Sequence, residues 1–152
     1  AMAVCRRHSR DNARTPMQWT GGKHAGFTSG VPWFPVNPNY QEINVEADAA
    51  RSRSVREYYK RLLSLRKDPA WENILVYGGF QPAFCEEENI FAYYRTGESS
   101  GKRVLVLCHY GRGMADIPLT DPFLVLADNC GGLDIQAGRL RLKAYQAVVL
   151  AL

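Results

Sequence analysis

No run of about twenty consecutive apolar residues occurs in the chain, so no segment is long and apolar enough to be a membrane-spanning helix. A charged-then-apolar secretory signal is missing too. The four cysteines, Cys5, Cys85, Cys108 and Cys130, form no C-x-x-C pair and no short disulfide framework. They are expected to be reduced thiols of a cytoplasmic protein. Histidine is scarce: His8, His24 and His109 are scattered rather than clustered, so neither a zinc site nor any other cofactor is expected. Zinc-finger spacing and an aromatic-rich RNA-binding signature are also lacking. The modest net charge of +4 therefore reads as a basic loop and a solvated helix face, with no nucleic acid and no membrane among the expected partners.

What the 152 residues do contain is an ordinary globular composition, 46% hydrophobic and 11% aromatic, which argues against disorder of the whole chain. The opening Ala1-Met2-Ala3 reads as a cloning remnant. Three regions follow.

Residues 1–51 are irregular. Pro16, Pro32, Pro35 and Pro38 break long elements, and Gly21, Gly22, Gly26 and Gly30 add turns. Yet Trp19, Phe27, Trp33, Phe34 and Tyr40 lie in the same stretch. A solvated linker does not carry five aromatics, so the segment is expected to pack against something larger.

Residues 52–70 hold the clearest helix, expected over 52–68. Ser54 and Glu57 form a capping-box pattern. Val55, Tyr58, Tyr59, Leu62 and Leu65 recur at helical spacing, and Asp68-Pro69 ends the run.

Residues 71–152 read as all β. Short apolar runs, "ILVYG", "NIFAYYRT", "KRVLVLCHY", "PFLVLADN" and "YQAVVLAL", alternate with turn residues, and "QAGRL" reads as a tight hairpin. This spacing predicts an antiparallel β-sandwich. Some runs are apolar on both faces in places, so two sheets must pack together or the domain must dock on another body. An exposed row of aromatics on one sheet face would favour a sugar-binding module; the candidates are Tyr93, Tyr94, Tyr110 and Tyr145, and Tyr93 and Tyr94 point to opposite faces.

The densest chemistry is in "SRDNARTPMQW" at 9–19. Arg14 offers a rigid fork of five donors, and Trp19 offers a ring face with one donor. Asp11 and Asn12 can shape the loop through side-chain to backbone bonds. Planar donors and flat faces suit sugar hydroxyls. Two other readings stay open: an Arg14–Asp11 ion pair, and Trp19 as loop core. Glu86, Glu87 and Glu88 lack the alternating oxygen ligands of a calcium loop and read as a solvated turn.

This block, followed by "AGFTSGVPWFPVNPNYQEINVE", "YYKRLLSLRK" and the terminal "RLRLKAYQAVVLAL", resembles the C-terminal part of glycoside hydrolase family 13, the α-amylase superfamily. The likeness is strongest to its oligo-1,6-glucosidase and α-glucosidase branch, which includes sucrose isomerases and trehalose synthases. Thr20 departs from the pattern, where an Asp commonly follows the tryptophan.

The resemblance implies a fold: a rim-loop segment of a (β/α)8 barrel, the last barrel helix, and a Greek-key sandwich called domain C. A whole barrel needs about 250 residues. It also implies a function: the chain as part of a retaining exo-acting α-glucosidase for short α-gluco-oligosaccharides, Arg14 holding the non-reducing glucose, and Asp11, Asn12 and Trp19 supporting the loop. Neither of the two catalytic carboxylates has its expected surroundings here, so the chain alone is expected to be inactive. The expected partners are the α-gluco-oligosaccharide and the missing barrel, with self-association through the barrel-facing surface. The alternatives are a stand-alone carbohydrate-binding or interaction module, or part of an isomerase or transglycosylase.

Overall fold

The computed structural model describes residues 14–97 and 101–152. The chain divides into two compact units, Ala1–Lys60 and Arg61–Leu152. Helix α2 runs through the division.

In the first unit, 3-10 turns at Lys23–Gly26 and Pro38–Gln41 precede a short helix, α1, at Val45–Ala49. Asn44 caps α1: its Oδ1 accepts from the Ala47 amide at 2.7 Å. Its Nδ2 donates to the Tyr40 carbonyl at 2.8 Å, which ties α1 to the turn before it.

Helix α2 spans Val55–Lys67, beginning where Ser54 provides the N-cap. Ser54 Oγ accepts from the Glu57 amide at 3.2 Å. Glu57 turns its carboxylate toward Lys60 Nζ, 2.9 Å away. On the apolar side of α2, Tyr58, Leu62 and Leu65 are half-buried, while Val55, Tyr59 and Leu63 are exposed among the described residues.

The second unit is an antiparallel β-sandwich, as the sequence pattern predicts. It is introduced by a helical turn, α3, at Glu72–Leu75. The expected strand at "ILVYG" is therefore corrected: its first two residues close α3, and Gly79 opens the first strand. Asp68 starts the turn, its carbonyl accepting from the Glu72 amide at 2.7 Å, and Ile74 is buried.

The strands are β1 (Gly79–Ala83), β2 (Ile90–Thr96), β3 (Arg103–His109), β4 (Ala115–Pro118), β5 (Leu124–Asp128), β6 (Asp134–Gln136), β7 (Arg139–Leu142) and β8 (Ala147–Ala151). They form a five-stranded sheet in the order β1-β2-β3-β8-β5 and a three-stranded sheet in the order β4-β7-β6. The chain crosses between sheets after β3, β4, β5 and β7. The expected hairpin at 136–140 joins β6 to β7, pairing Gln136 with Arg139. Its two turn residues, Ala137 and Gly138, have φ of 49° and 73°, the all-positive pattern that matches strand twist in a two-residue turn.

The core lies between the sheets. Ala92, Leu105, Leu107, Val148 and Leu150 of the larger sheet meet Ile117, Leu140 and Leu142 of the smaller. Each fully buried aliphatic side chain contributes about 1.5–3 kcal/mol.

One end of the sandwich is closed by polar groups. The buried Gln146 donates from Nε2 to Asp128 Oδ1 at 2.8 Å and to the Gly132 carbonyl at 3.3 Å. Its Oε1 accepts from the Lys143 amide at 2.9 Å. His109, also buried, donates from Nδ1 to the Lys143 carbonyl at 2.8 Å. Burial opposes ionisation of Asp128. Bonds from the Gly132 amide, Gln146 and the Cys130 amide outweigh it and hold the carboxyl below its usual range.

Candidate functional site

Arg14 is exposed. The residues that follow it are fixed in place. Gln18 Nε2 donates to Asn39 Oδ1 at 2.9 Å and to the Ile43 carbonyl at 2.5 Å. The Gln18 carbonyl accepts from the Val45 amide and the Trp19 carbonyl from the Glu46 amide, at 3.0 and 3.1 Å. The amides of Trp19 and Thr20 both donate to the Ala25 carbonyl, at 2.8 and 3.0 Å. An irregular loop is thus held almost as a strand is held.

The Ala25 carbonyl can take both bonds because the chain turns sharply there. His24, Ala25 and Gly26 have φ of 53°, 55° and 67°. Left-handed backbone costs a non-glycine residue roughly 1–2 kcal/mol, so two such residues in succession are retained only where the surroundings compensate. Ala25 is fully buried, and its carbonyl supplies that compensation.

The clamped loop forms one wall of an open groove of about 650 Å³. Pro16, Met17 and Trp19 face Ile43, Val45 and Val55 across it. Trp19 is 49% exposed, so its indole is neither loop core nor free in solvent. Asp48 and Arg56 add polarity at one side.

Asp48 is the functional-looking carboxylate that the sequence reading passed over, and its oxygens are committed. Ser54 Oγ donates to Oδ2 at 2.8 Å, the Val55 amide to Oδ1 at 3.1 Å, and the Arg56 amide to Oδ2 at 3.2 Å. These bonds, Ser54's first, then those from Arg56 and Val55, hold its carboxyl below the usual value of 3.8. It anchors the start of α2, where the helix dipole favours a negative charge. Among the described lining residues the groove therefore presents binding surfaces and a structural carboxylate, and no pair of carboxylates at the spacing needed for glycosidic cleavage.

Of the sequence-predicted site residues, Arg14 stands exposed one position before Thr15, the first residue lining the groove, and Trp19 is in its wall. Asp11 and Asn12 lie outside the described residues. Trp33 is 92% exposed, its ring centroid 4.9 Å from that of Phe34. Together with His24, Pro32 and Tyr40 it lines a second concavity of about 470 Å³.

A family description for the catalytic domain of α-amylases matches residues 1–78. The oligo-1,6-glucosidase of Halalkalibacterium halodurans is 41% identical over 154 residues, covering 97% of this chain and 27% of the relative. Among solved structures, the trehalose-6-phosphate hydrolase of Bacillus licheniformis superposes with a TM-score of 0.86 at 33% identity, over 98% of this chain and 27% of that one. An isomaltulose synthase from Klebsiella superposes with a TM-score of 0.79 at 35% identity, over 94% of this chain and 26% of that one. The chain spans about a quarter of the length of these relatives.

Proposed function

The chain belongs to the α-amylase family, and from that premise we propose that it is the C-terminal portion of a retaining, exo-acting α-glucosidase of the oligo-1,6-glucosidase kind. Its substrates are short α-gluco-oligosaccharides. The carrying observation is the exposed Arg14 set immediately before a loop clamped from both sides, with the Trp19 indole half-exposed in the wall of an apolar groove. Arg14 holds the non-reducing glucose through its donor fork, which matches sugar hydroxyls geometrically. The bonds that hold the loop from Gln18 onward limit how far the segment bearing Arg14 can move, which lowers the ordering cost of binding sugar.

The bond-breaking pair is supplied by the rest of the catalytic domain. A retaining enzyme sets two carboxyl groups about 5–5.5 Å apart, one as nucleophile and the other as acid and then base. This chain contributes substrate positioning and the sandwich. The relative named oligo-1,6-glucosidase supports hydrolysis. The likeness to an isomaltulose synthase supports a second reading, in which the same glucosyl-enzyme intermediate passes its sugar to a sugar hydroxyl instead of water.

The test is turnover of isomaltose by the chain alone and by the chain joined to the remaining part of the H. halodurans relative. Glucose release by the joined protein, and none by the chain alone, is the expected result. A joined, folded protein that leaves both isomaltose and sucrose untouched overturns the reading. Conversion of sucrose to an isomeric disaccharide selects the transferase version.

A further inference from the structure

Arg14 stands a short way before Gln18 in the chain, and the stretch Thr15-Pro16-Met17 between them has little freedom. Pro16 is buried, and its ring locks φ at about −65°. Thr15, as the residue before a proline, is confined to extended backbone. The soft dihedrals in the middle of the stretch are therefore fixed or restricted. A displacement at Gln18 is carried on to Arg14 rather than absorbed on the way.

Gln18 is held by its side chain as well as by its backbone. The backbone bonds of Gln18 and Trp19 reach Val45, Glu46 and Ala25. The side-chain amide reaches a different part of the loop. Nε2 has two protons, and it gives one to Asn39 Oδ1 at 2.9 Å and one to the Ile43 carbonyl at 2.5 Å. Both acceptors are themselves well held. Asn39 lies in the 3-10 turn Pro38–Gln41, which opens on a proline and is capped by Asn37, whose Oδ1 accepts from the Asn39 amide at 3.3 Å. The Asn39 carbonyl accepts from the amides of Glu42 and Ile43, at 3.0 and 2.9 Å. The oxygens that receive Gln18 thus belong to one hydrogen-bonded turn. That turn closes on its own bonds, including the one from Asn44 Nδ2 to the Tyr40 carbonyl, so it does not depend on Gln18. A glutamate at the same place would set a carboxylate against two oxygens, with no proton to offer either.

We infer that Gln18 is a positioning residue for sugar binding: its side-chain amide, fastened to Asn39 and Ile43, sets the place of Arg14 through the Thr15–Pro16 strut. It touches no sugar itself and acts through the guanidinium. The inference rests on Arg14 holding the non-reducing glucose, as proposed above. Removing the amide leaves the backbone bonds of Gln18 and Trp19 intact, so the loop keeps its course. Arg14 gains freedom, and sugar binding must then remove it.

The test is a double-mutant cycle in the protein joined to the remaining part of the H. halodurans relative, read as kcat/KM for isomaltose. Gln18→Ala is expected to lower it about tenfold, less than the roughly 100-fold that a 1 Å misplacement can cost, because the backbone bonds persist. In the Arg14→Ala background the same substitution is expected to change it by less than about twofold, the scatter of such cycles. Gln18→Glu keeps the side chain's size and is expected to lose as much as Gln18→Ala. Gln136→Ala, on β6, is the control expected to leave turnover unchanged. Circular dichroism and the melting temperature check that each variant folds. Asn39→Ala, which takes away one acceptor and leaves the Ile43 carbonyl, replaces any Gln18 variant that does not. Losses that multiply in the double variant overturn the inference, since Gln18 would then stabilise the loop without acting on Arg14. A loss in Arg14→Ala with none in Gln18→Ala or in Gln18→Glu overturns it too, and leaves the α-glucosidase reading standing. Unchanged turnover in Arg14→Ala removes the sugar-holding role of Arg14, and the inference with it.

Discussion

Ser54 and Asp48 are joined by a 2.8 Å hydrogen bond, and both of them cap the same helix. Ser54 accepts from the Glu57 amide, and Asp48 accepts from the amides of Val55 and Arg56. Three of the four orphan amides at the start of an α-helix are thereby satisfied by two side chains. Ser54→Ala is expected to destabilise the fold by about 0.5–2 kcal/mol, read as a lower urea midpoint with an unchanged slope.

The Asp48 carboxyl titrates below its ordinary value of 3.8 because Ser54 and the amides of Arg56 and Val55 favour the charged form. A depressed value in the folded state means that its stabilisation is present above pH 3.8 and is lost as pH falls through the folded value. Thermal unfolding followed at helical wavelengths should therefore shift down steeply in that acid window. In Asp48→Asn the acid dependence should be shallower, starting from a lower midpoint at neutral pH.

Gly78 admits no side chain. A Cβ there would meet the carbonyl oxygen of Ile74 and, at 2.7 Å, that of Thr96. Both obstacles are backbone, so the chain itself must move. Gly78→Ala is expected to cost about 1–3 kcal/mol, measured by denaturant unfolding. Gly113→Ala, with open space at its Cβ, is the control expected to change little.

Gln146 is fully buried and bonds Asp128, Gly132 and the Lys143 amide. Gln146→Leu keeps similar bulk and strands those partners, at roughly 1–3 kcal/mol. The loss should appear as a lowered melting temperature and as faster amide exchange at Lys143.

In the protein joined to the remaining catalytic domain, Arg14→Ala is expected to lower kcat/KM for isomaltose. A charge-assisted hydrogen bond contributes about 1.5–3 kcal/mol, so the drop should be about 10- to 100-fold. Arg14→Lys should recover only part of it, since a point charge lacks the planar fork. Unchanged kcat/KM in both variants would remove Arg14 from the sugar site.

Much of this architecture is legible in the sequence for local reasons. Ser54 and Glu57 mark where α2 starts, and the Ala137–Gly138 step marks a turn needing positive φ. Other features were not legible because they depend on distant partners. The run at 74–78 reads as a strand since a short apolar run has no period to tell strand from helix. It is helical because Asp68 initiates a turn and Ile74 packs on the sheet. Asp48 caps α2 from outside it, across a bend that sequence spacing does not reveal. The ring contact of Phe80 with Tyr93 exists only through the pairing of β1 with β2. For the site, Trp19 was marked by its aromatic face, whereas the role carried over to Arg14 came from the resemblance. Nothing in the sequence distinguished the exposed Trp33 from the buried Ala25 as the residue on which the loop turns.

The placement of β8 between β3 and β5 bears on how the sandwich is made during synthesis. The five-stranded sheet is two separate pieces until Ala147–Ala151 arrives, because among the described residues β5 pairs in it with β8 alone. A ribosome that has completed β1 to β7 holds a chain whose sheet edges are open and whose Leu105 and Leu107 still lack Leu150 and Val148 across the register. Contacts this far apart in sequence form late and slowly. Shortening the chain by its last strand would therefore leave open sheet edges prone to aggregation.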